Sequence, residues 1–195
     1  LDASEARLMS DCIDRSTSAQ WSTAVRFMQS GREEPSTLTP HLLSLARLNG
    51  YEVERSQHIM TLDRIGLTEP AVPDGSMHVR VKRTESRGSR PNFVVRLMQG
   101  DAEAGFCELE SRGHFLRAES AQASLFIHDL EVDEGYQGRG YGRYLLRKAL
   151  WEAQQVGFTD ATLGVMPDND RATLLYASEG FRMEATTYQL GKSVG

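Results

Sequence analysis

Long apolar runs are missing from this sequence, and with them the usual signal for a membrane-spanning helix. No stretch approaches the roughly 18 uninterrupted apolar residues that such a helix needs, and the opening segment LDASEAR lacks the apolar core of a signal peptide. Cysteine is scarce as well, since Cys12 and Cys107 are too few for a disulfide framework and form no CxxC spacing. We therefore expect reduced thiols, a cytoplasmic location and no membrane partner.

Positive charge is also in deficit. The formal net charge of −5 and the pI of about 5.6 argue against nucleic acid as a partner, because binding a phosphate backbone needs a positive face. One short basic stretch is interpreted as a solvated strand end and loop: Arg80, Lys82, Arg83, Arg87 and Arg90. The 5 histidines show no HxxxH spacing, so we expect no metal site.

The 195 residues are enough for one substantial domain with an appendage, or for two small domains. Residues 2 to 49 show helical periodicity, and Gly50 is predicted to end the last of these helices. Residues 51 to 62 are predicted to be extended, and residues 66 to 75, with Pro70 and Pro73, to form a linker. The predicted division is a mostly helical extension (1–66), a linker (67–76) and a catalytic domain (77–195).

The second part of the chain alternates strand and helix patterns. Strands are predicted over 77–83, 93–99, 105–110, 124–132, 161–166 and 181–190, with a turn at Gly100 and Asp101. Helices are predicted after residue 140 and over 170–179, and Gly180 ends the second one. An antiparallel meander followed by β-α-β-α-β indicates an α/β fold, in which a mixed sheet carries helices on its faces.

A weak internal repeat links two helix ends. The segment LARLNGYEVE, from Leu45 to Glu54, resembles LYASEGFRME, from Leu175 to Glu184. Each ends a helix at glycine, places an aromatic residue next and enters a strand. Because so few positions match, the similarity is explained equally well by chance or by duplication of a half-domain.

A glycine-rich turn lies between the fourth predicted strand and the amphipathic helix. Its residues are Gln137, Gly138, Arg139, Gly140, Tyr141 and Gly142. The first turn of a helix leaves backbone N–H groups unpaired, and glycines let the backbone approach a ligand closely. The helix dipole favours an anion by about 0.3–1 kcal/mol, so a pyrophosphate suits this turn.

Two other nucleotide-binding turns fit less well. A Walker loop would continue with Gly-Lys-Ser/Thr, which this sequence lacks. A dinucleotide-binding turn would need G-x-G-x-x-G inside a parallel βαβ unit, which the upstream meander does not supply.

The residues around the turn resemble a known family. Gln137-x-x-Gly140-x-Gly142 matches the Q/R-x-x-G-x-G/A motif of the GCN5-related N-acetyltransferases (GNAT family), with the usual strand before it and helix after it. A second pattern, NxxAxxLYxxxGF from Asn169 to Phe181, resembles that family's later helix at the expected separation. The resemblance covers about residues 77 to 190 and implies a GNAT-like fold that binds acetyl-CoA.

The resemblance also implies roles for individual residues. The pantetheine would lie between the fourth and fifth strands and contact backbone at Leu130 and Val132, with an N–H near Val132 as the oxyanion donor. Asn169 and Tyr176 would sit beside the thioester, and the Tyr176 hydroxyl would protonate the leaving thiolate. A packed helix tyrosine is the alternative interpretation.

His128 is the predicted general base. Strand alternation would put it on one face with Leu130 and Val132, near the thioester. A partly buried histidine that is hydrogen-bonded within the sheet explains it equally well. Asp129 and Glu131 are secondary candidates if a β-bulge changes the alternation.

One departure from the family leaves the acceptor open. The GNAT pattern has two helices between its first two strands, and the short segment from Thr84 to Asn92 cannot hold them. The N-terminal helices would fill this space, or residues 1–66 would be a degenerate GNAT half. We expect acetyl transfer to a primary amine of a small molecule, with a protein amine, or a non-catalytic acyl-CoA-binding module, as alternatives. A homodimer is also considered.

Overall fold

A seven-stranded sheet forms the centre of residues 40–192, the part of the chain that this computed structural model describes. The strands are β1 (Glu52–Leu62), β2 (Met77–Thr84), β3 (Asn92–Gln99), β4 (Ala102–Ser111), β5 (Ser124–Val132), β6 (Asp160–Val165) and β7 (Arg182–Gly191). The α-helices are α1 (Pro40–Leu48), α2 (Glu119–Gln122), α3 (Tyr141–Gln155) and α4 (Asp170–Ser178). Short 3-10 helices occupy Arg112–His114 and Glu134–Tyr136. The predicted α/β class is confirmed.

The strand order is β2-β3-β4-β5-β6-β1-β7. Strands β2 to β4 form the predicted antiparallel meander, and β5 extends it by pairing antiparallel with β4. Strands β5 and β6 run parallel to each other, as a β-α-β unit requires. Gly100, with φ of 59°, makes the predicted turn between β3 and β4. The strands and helices predicted after residue 76 are confirmed to within a few residues, and α2 was not predicted.

Strand β1 lies inside the sheet. It pairs antiparallel with β6 on one side and with β7 on the other. Met60 of β1 is 2% exposed and pairs with Leu163 of β6, so β1 contributes to the core. The predicted boundary between an extension and a catalytic domain at residues 67–76 stays a prediction. Strand β1, which precedes that boundary, belongs to the same sheet as the strands that follow it. The helices predicted before residue 40 lie outside the described residues.

The segment between β1 and β2 has no helix or strand, as predicted for a linker, and it is anchored to α3. The Leu67 N–H donates to Gln154 Oε1 at 2.9 Å. Further along, Glu69 lies 2.5 Å from the ammonium nitrogen of Lys148, which is only 8% exposed. The same ammonium contacts Glu152 of α3 at 3.1 Å, so Lys148 joins the linker carboxylate to the helix.

The two helix ends of the internal repeat have the same backbone structure. Gly50 and Gly180, which are 130 residues apart, have φ of 79° and 92°. The matching hydrogen bonds run from Tyr51 N–H to Ala46 C=O (3.1 Å) and from Phe181 N–H to Tyr176 C=O (3.0 Å). The strands that follow pair with each other, and Gln57 lies opposite Thr187, also 130 residues away. The two units therefore share a local backbone structure and meet at the antiparallel pair of β1 and β7. A duplicated half-domain stays a prediction.

The apolar core lies between the sheet and α3. The predicted apolar face of α3 is confirmed by its fully or almost fully buried residues, Leu145, Leu146, Ala149, Leu150 and Ala153. They pack in one cluster with residues of β3, β4 and β5, among them Phe93. Burial of each leucine contributes about 1.5–3 kcal/mol, so α3 is held firmly on the sheet. Its N-terminus, where the glycine turn lies, is thereby fixed next to the end of β5.

Candidate active site

A cleft opens between β5 and β6. The two strands are paired only from Ser124–Asp160 to Ile127–Leu163. Beyond that point β6 continues beside β1, where Val165 pairs with His58. The β6-facing edge of β5 from residue 128 to 132 thus has no partner strand among the described strands. Its backbone groups can bind a ligand, apart from the Val132 carbonyl, which accepts from the Gln137 side chain.

A β-bulge marks the point where the strands separate. Leu109 pairs with Ile127 and Glu108 pairs with Asp129, so His128 is the extra residue in β5. A bulge shifts the alternation of side chains along its strand. The sequence allowed for a β-bulge in this strand but did not predict which residue would form it.

The bulge changes where His128 lies. Leu130 pairs with Cys107, which faces the core and is fully buried. His128 instead has its Nδ1 atom 3.9 Å from Oε2 of Glu110, on the opposite face of the sheet. The prediction that His128 shares a face with Leu130 and Val132 is therefore wrong. Its side chain is 39% exposed and points toward the face on which Asp129 also lies.

The glycine turn leads from this cleft into α3. Gly138 and Gly140 have φ of 75° and 84°, and a Cβ on either would meet no atom within 4 Å. Gly140 is the N-cap of α3 and brings no side-chain hydrogen bond to it. The first N–H groups of α3 therefore have no capping side chain, and an anion can serve as their acceptor. Both glycines are required by their backbone angles, because left-handed φ disfavours a side chain.

The other predicted residues of the turn take different positions. Tyr141 is 4% exposed and belongs to the apolar core. A Cβ on Gly142 would lie 3.7 Å from Val132 Cγ2, an ordinary contact that leaves room for alanine. Gln137 Nε2 donates to the Val132 carbonyl at 2.9 Å, which ties the turn to the end of β5. Arg139 is exposed.

Asn169 and Tyr176 lie on α4, which follows β6. The Asn169 side-chain oxygen accepts from Ala172 N–H at 3.1 Å and is the N-cap of the helix. Tyr176 is 8% exposed and packs on Phe181, with ring centroids 5.8 Å apart. Burial raises the pKa of Tyr176, and the neighbouring Cys107 and Asp129 raise it further. The phenol therefore keeps its proton at neutral pH.

Cys107 was not predicted to belong to this region. It is fully buried on β4 beside Leu130, and burial, with Asp129 and Glu108, raises the pKa of its thiol. A thiol that stays protonated is a poor nucleophile, so Cys107 serves packing. No sequence signal identified it, because its position depends on the pairing of β4 with β5.

Two negative findings apply to residues 40–192. No three or more His, Cys, Asp or Glu side chains come together in a way that could hold a metal ion. No helix in this part of the chain is long and apolar enough to cross a membrane.

Comparison with known proteins decides the family. The family model described as Acetyltransferase (GNAT) family matches residues 60–181, more than half of the chain. The chain belongs to the GNAT family. The match begins inside β1 and ends just after α4, so it includes the cleft, the glycine turn and Tyr176.

Two curated relatives match parts of this GNAT chain. The mycothiol acetyltransferase of Jonesia denitrificans is 39% identical over 67 residues, which are 34% of this chain and 21% of that protein. The N-alpha-acetyltransferase RimI of Mycobacterium tuberculosis is 46% identical over 56 residues, which are 29% of this chain and 34% of that protein. The matched part thus spans about a fifth of the length of the first relative and about a third of the length of the second.

Solved structures agree on the fold. A GCN5-related N-acetyltransferase from Kribbella flavida superposes with a TM-score of 0.59 at 16% identity, covering 80% of this chain and 65% of that one. At this identity the likeness concerns the fold alone. It confirms the predicted GNAT-like architecture.

Proposed function

We propose that this GNAT chain is an acyl-CoA-dependent N-acyltransferase that moves an acetyl group from acetyl-CoA to a primary amine of a small molecule. The observation that carries the proposal is the continuity of three features: the unpaired edge of β5, the glycine turn at its end, and the protonated Tyr176 beside it. Together they offer a site for an extended amide chain, an anion and a leaving thiolate.

The residues present fit coenzyme A. Open space in front of Gly138 and Gly140, with unpaired N–H groups at the start of α3, suits a pyrophosphate. Between Leu130 and Val132 the β6-facing edge of β5 has no partner strand, and the Val132 carbonyl alone is occupied, by Gln137. The remaining backbone groups suit the two amides of pantetheine. Bound acetyl-CoA would supply an activated thioester; the protein positions it and manages the protons.

Two groups would manage protons from opposite sides of the sheet. Tyr176 holds a proton at its phenol oxygen, which a leaving thiolate can take. His128, at the bulge, faces the other side, where an acceptor amine would arrive. An imidazole there can remove the proton of the attacking ammonium, directly or through water. Asp129 lies on the same face and is the second candidate for this role.

The acceptor amine has two candidate classes. The two curated relatives differ in the activity their names describe, one a mycothiol acetyltransferase and one an N-alpha-acetyltransferase. A small-molecule amine remains our proposal, and a protein amine is the alternative. The homodimer and the cytoplasmic location also stay predictions.

An acetyl-transfer assay tests the proposal. Thiol release from acetyl-CoA would be followed over a panel of small-molecule amines and N-terminal peptides, with wild-type protein, Tyr176→Phe and Gly140→Ala. Turnover with small amines supports the proposal, and turnover with peptides alone moves the acceptor to proteins. CoA binding without turnover on any amine would show a non-catalytic acyl-CoA-binding module. Gly140→Ala should weaken CoA binding, because alanine in a left-handed backbone conformation costs about 1–2 kcal/mol.

A further inference from the structure

Apart from Arg139 within it, the arginines near the glycine turn form two groups. Arg143 and Arg147 extend from α3 to Glu179, at the end of α4, with Nε–O distances of 3.0 and 2.6 Å. The Glu179 side chain is only 5% exposed. The Arg143 contact is an ion pair without hydrogen-bond alignment, since Oε1 of Glu179 has no aligned donor. One buried carboxylate thus occupies both arginines and joins α3 to α4.

Arg171 is not bound in this way. It lies in the first turn of α4 and is exposed, and among residues 40–192 no carboxylate lies within ion-pair distance of it. Its Nη1 atom is 3.5 Å from Oε1 of Gln137, in the glycine turn. Gln137 in turn donates to the Val132 carbonyl. The guanidinium therefore reaches from α4 across the mouth of the cleft to the turn.

The contact between Arg171 and Gln137 is weak. Its length is at the limit of a hydrogen bond, its acceptor is a neutral amide, and both side chains are exposed. A phosphate oxygen would be a better acceptor, because charge-assisted bonds to guanidinium are shorter and about twice as strong as neutral ones. An anion at the turn would thus draw Arg171 away from Gln137.

We propose that Arg171 binds a phosphate group of the acyl-CoA cofactor, facing the glycine turn from the α4 side. This inference rests on the proposed function, since it assumes that coenzyme A occupies the cleft. The phosphate belongs to the pyrophosphate or to the ribose 3′-phosphate of the cofactor, and both present the same oxygen chemistry to a guanidinium.

Calorimetric titration of the full chain with CoA and with 3′-dephospho-CoA tests this role. The proteins are wild type, Arg171→Ala, Arg171→Lys and the control Arg80→Ala. Arg80 is an exposed arginine on β2, an edge strand three places from β5, and its pairing with Asp101 is long at 3.6 Å. Removing it changes net charge by the same amount without touching the turn. Because Arg171 is exposed, thermal unfolding should show that its variants remain folded.

Arg171→Ala should weaken CoA binding about tenfold, equivalent to about 1.4 kcal/mol. Arg171→Lys should recover part of the loss, and Arg80→Ala should bind as wild type does. Loss with CoA alone assigns the contact to the 3′-phosphate, and loss with both ligands assigns it to the pyrophosphate. Equal affinity of Arg171→Ala and Arg80→Ala would overturn the inference while leaving the proposed function standing. Failure of the wild type to bind either ligand would overturn the proposed function itself.

Discussion

Gly105 and Glu131 approach so closely that a Cβ on Gly105 would lie 2.4 Å from the backbone oxygen of Glu131. The same Cβ would lie 2.9 Å from the Cα of Val132, on the segment proposed to bind pantetheine. We predict that Gly105→Ala displaces the end of β5. The substitution should cost about 1–3 kcal/mol of unfolding free energy, as overpacking does, and should weaken CoA binding. Urea denaturation and calorimetric titration measure the two effects.

Gly66→Ala is the control for this substitution. Gly66 lies in the linker, where a Cβ would meet no atom within 4 Å and φ is not positive. It should change neither stability nor CoA affinity appreciably. If Gly105→Ala behaved like this control, β4 and β5 would not be so closely apposed in solution.

Tyr176→Phe should lower kcat and leave KM for acetyl-CoA nearly unchanged. The phenol lies beside Cys107 and Asp129, and the substitution removes its proton while retaining the ring against Phe181. A positioned general acid contributes about 10²- to 10⁴-fold to the rate. Steady-state kinetics with an accepted amine measure the effect. Leu174→Ala, at a residue of the same helix that is 70% exposed, is the matched control and should leave kcat unaltered.

Stability should decline at alkaline pH because of Cys107 and Tyr176. Burial raises the pKa of both groups in the folded chain above their ordinary values of 9.0 and 10.0. The unfolded chain therefore loses these protons first, and stability present below pH 9 is lost as pH rises. Each group contributes a slope of up to about 1.4 kcal/mol per pH unit.

Urea denaturation between about pH 7 and pH 10.5 measures this decline. Cys107→Ala should flatten the part that begins near pH 9 and retain the later part, which belongs to Tyr176. A variant with the same pH dependence as wild type would show that the Cys107 thiol ionises as readily in the folded chain as in the unfolded one.

Met60→Ala tests whether β1 is integral to the sheet. Met60 is 2% exposed, and truncating a buried methionine to alanine costs about 2–5 kcal/mol. Urea unfolding should remain a single transition with a lower midpoint. Val53→Ala, on the same strand at a residue that is 37% exposed, should cost much less. A second, separate transition in Met60→Ala would indicate that residues 40–62 unfold independently of the catalytic sheet.

Much of the fold follows from local sequence signals. Strand β5 has the predicted bounds, because an apolar run and the following glycines define it locally. The face of α3 follows from spacing at helical period, and Gly50 and Gly180 end their helices as predicted. Each of these features is determined by residues that are close together in the sequence.

The remaining features depend on pairing between distant segments. The bulge at His128 exists because β4 and β5 pair with one residue unmatched, which the sequence of β5 alone does not reveal. The face of His128 was therefore mispredicted, while the roles of Tyr176 and Asn169 stay predictions. The insertion of β1 between β6 and β7 could not be predicted either, because adjacent strands in a sheet are usually close in sequence.

The position of β1 sets the order in which this sheet can be completed. Its partners in β6 and β7 are roughly 100 residues or more away along the chain, so β1 leaves the ribosome long before either is synthesised. The meander of β2 to β5 has only local pairings and can form first. The β6 side of the cleft is complete only once β1 has entered between β6 and β7. Acquisition of cofactor-binding capacity should accordingly be a late step in folding, governed by the entry of the earliest strand.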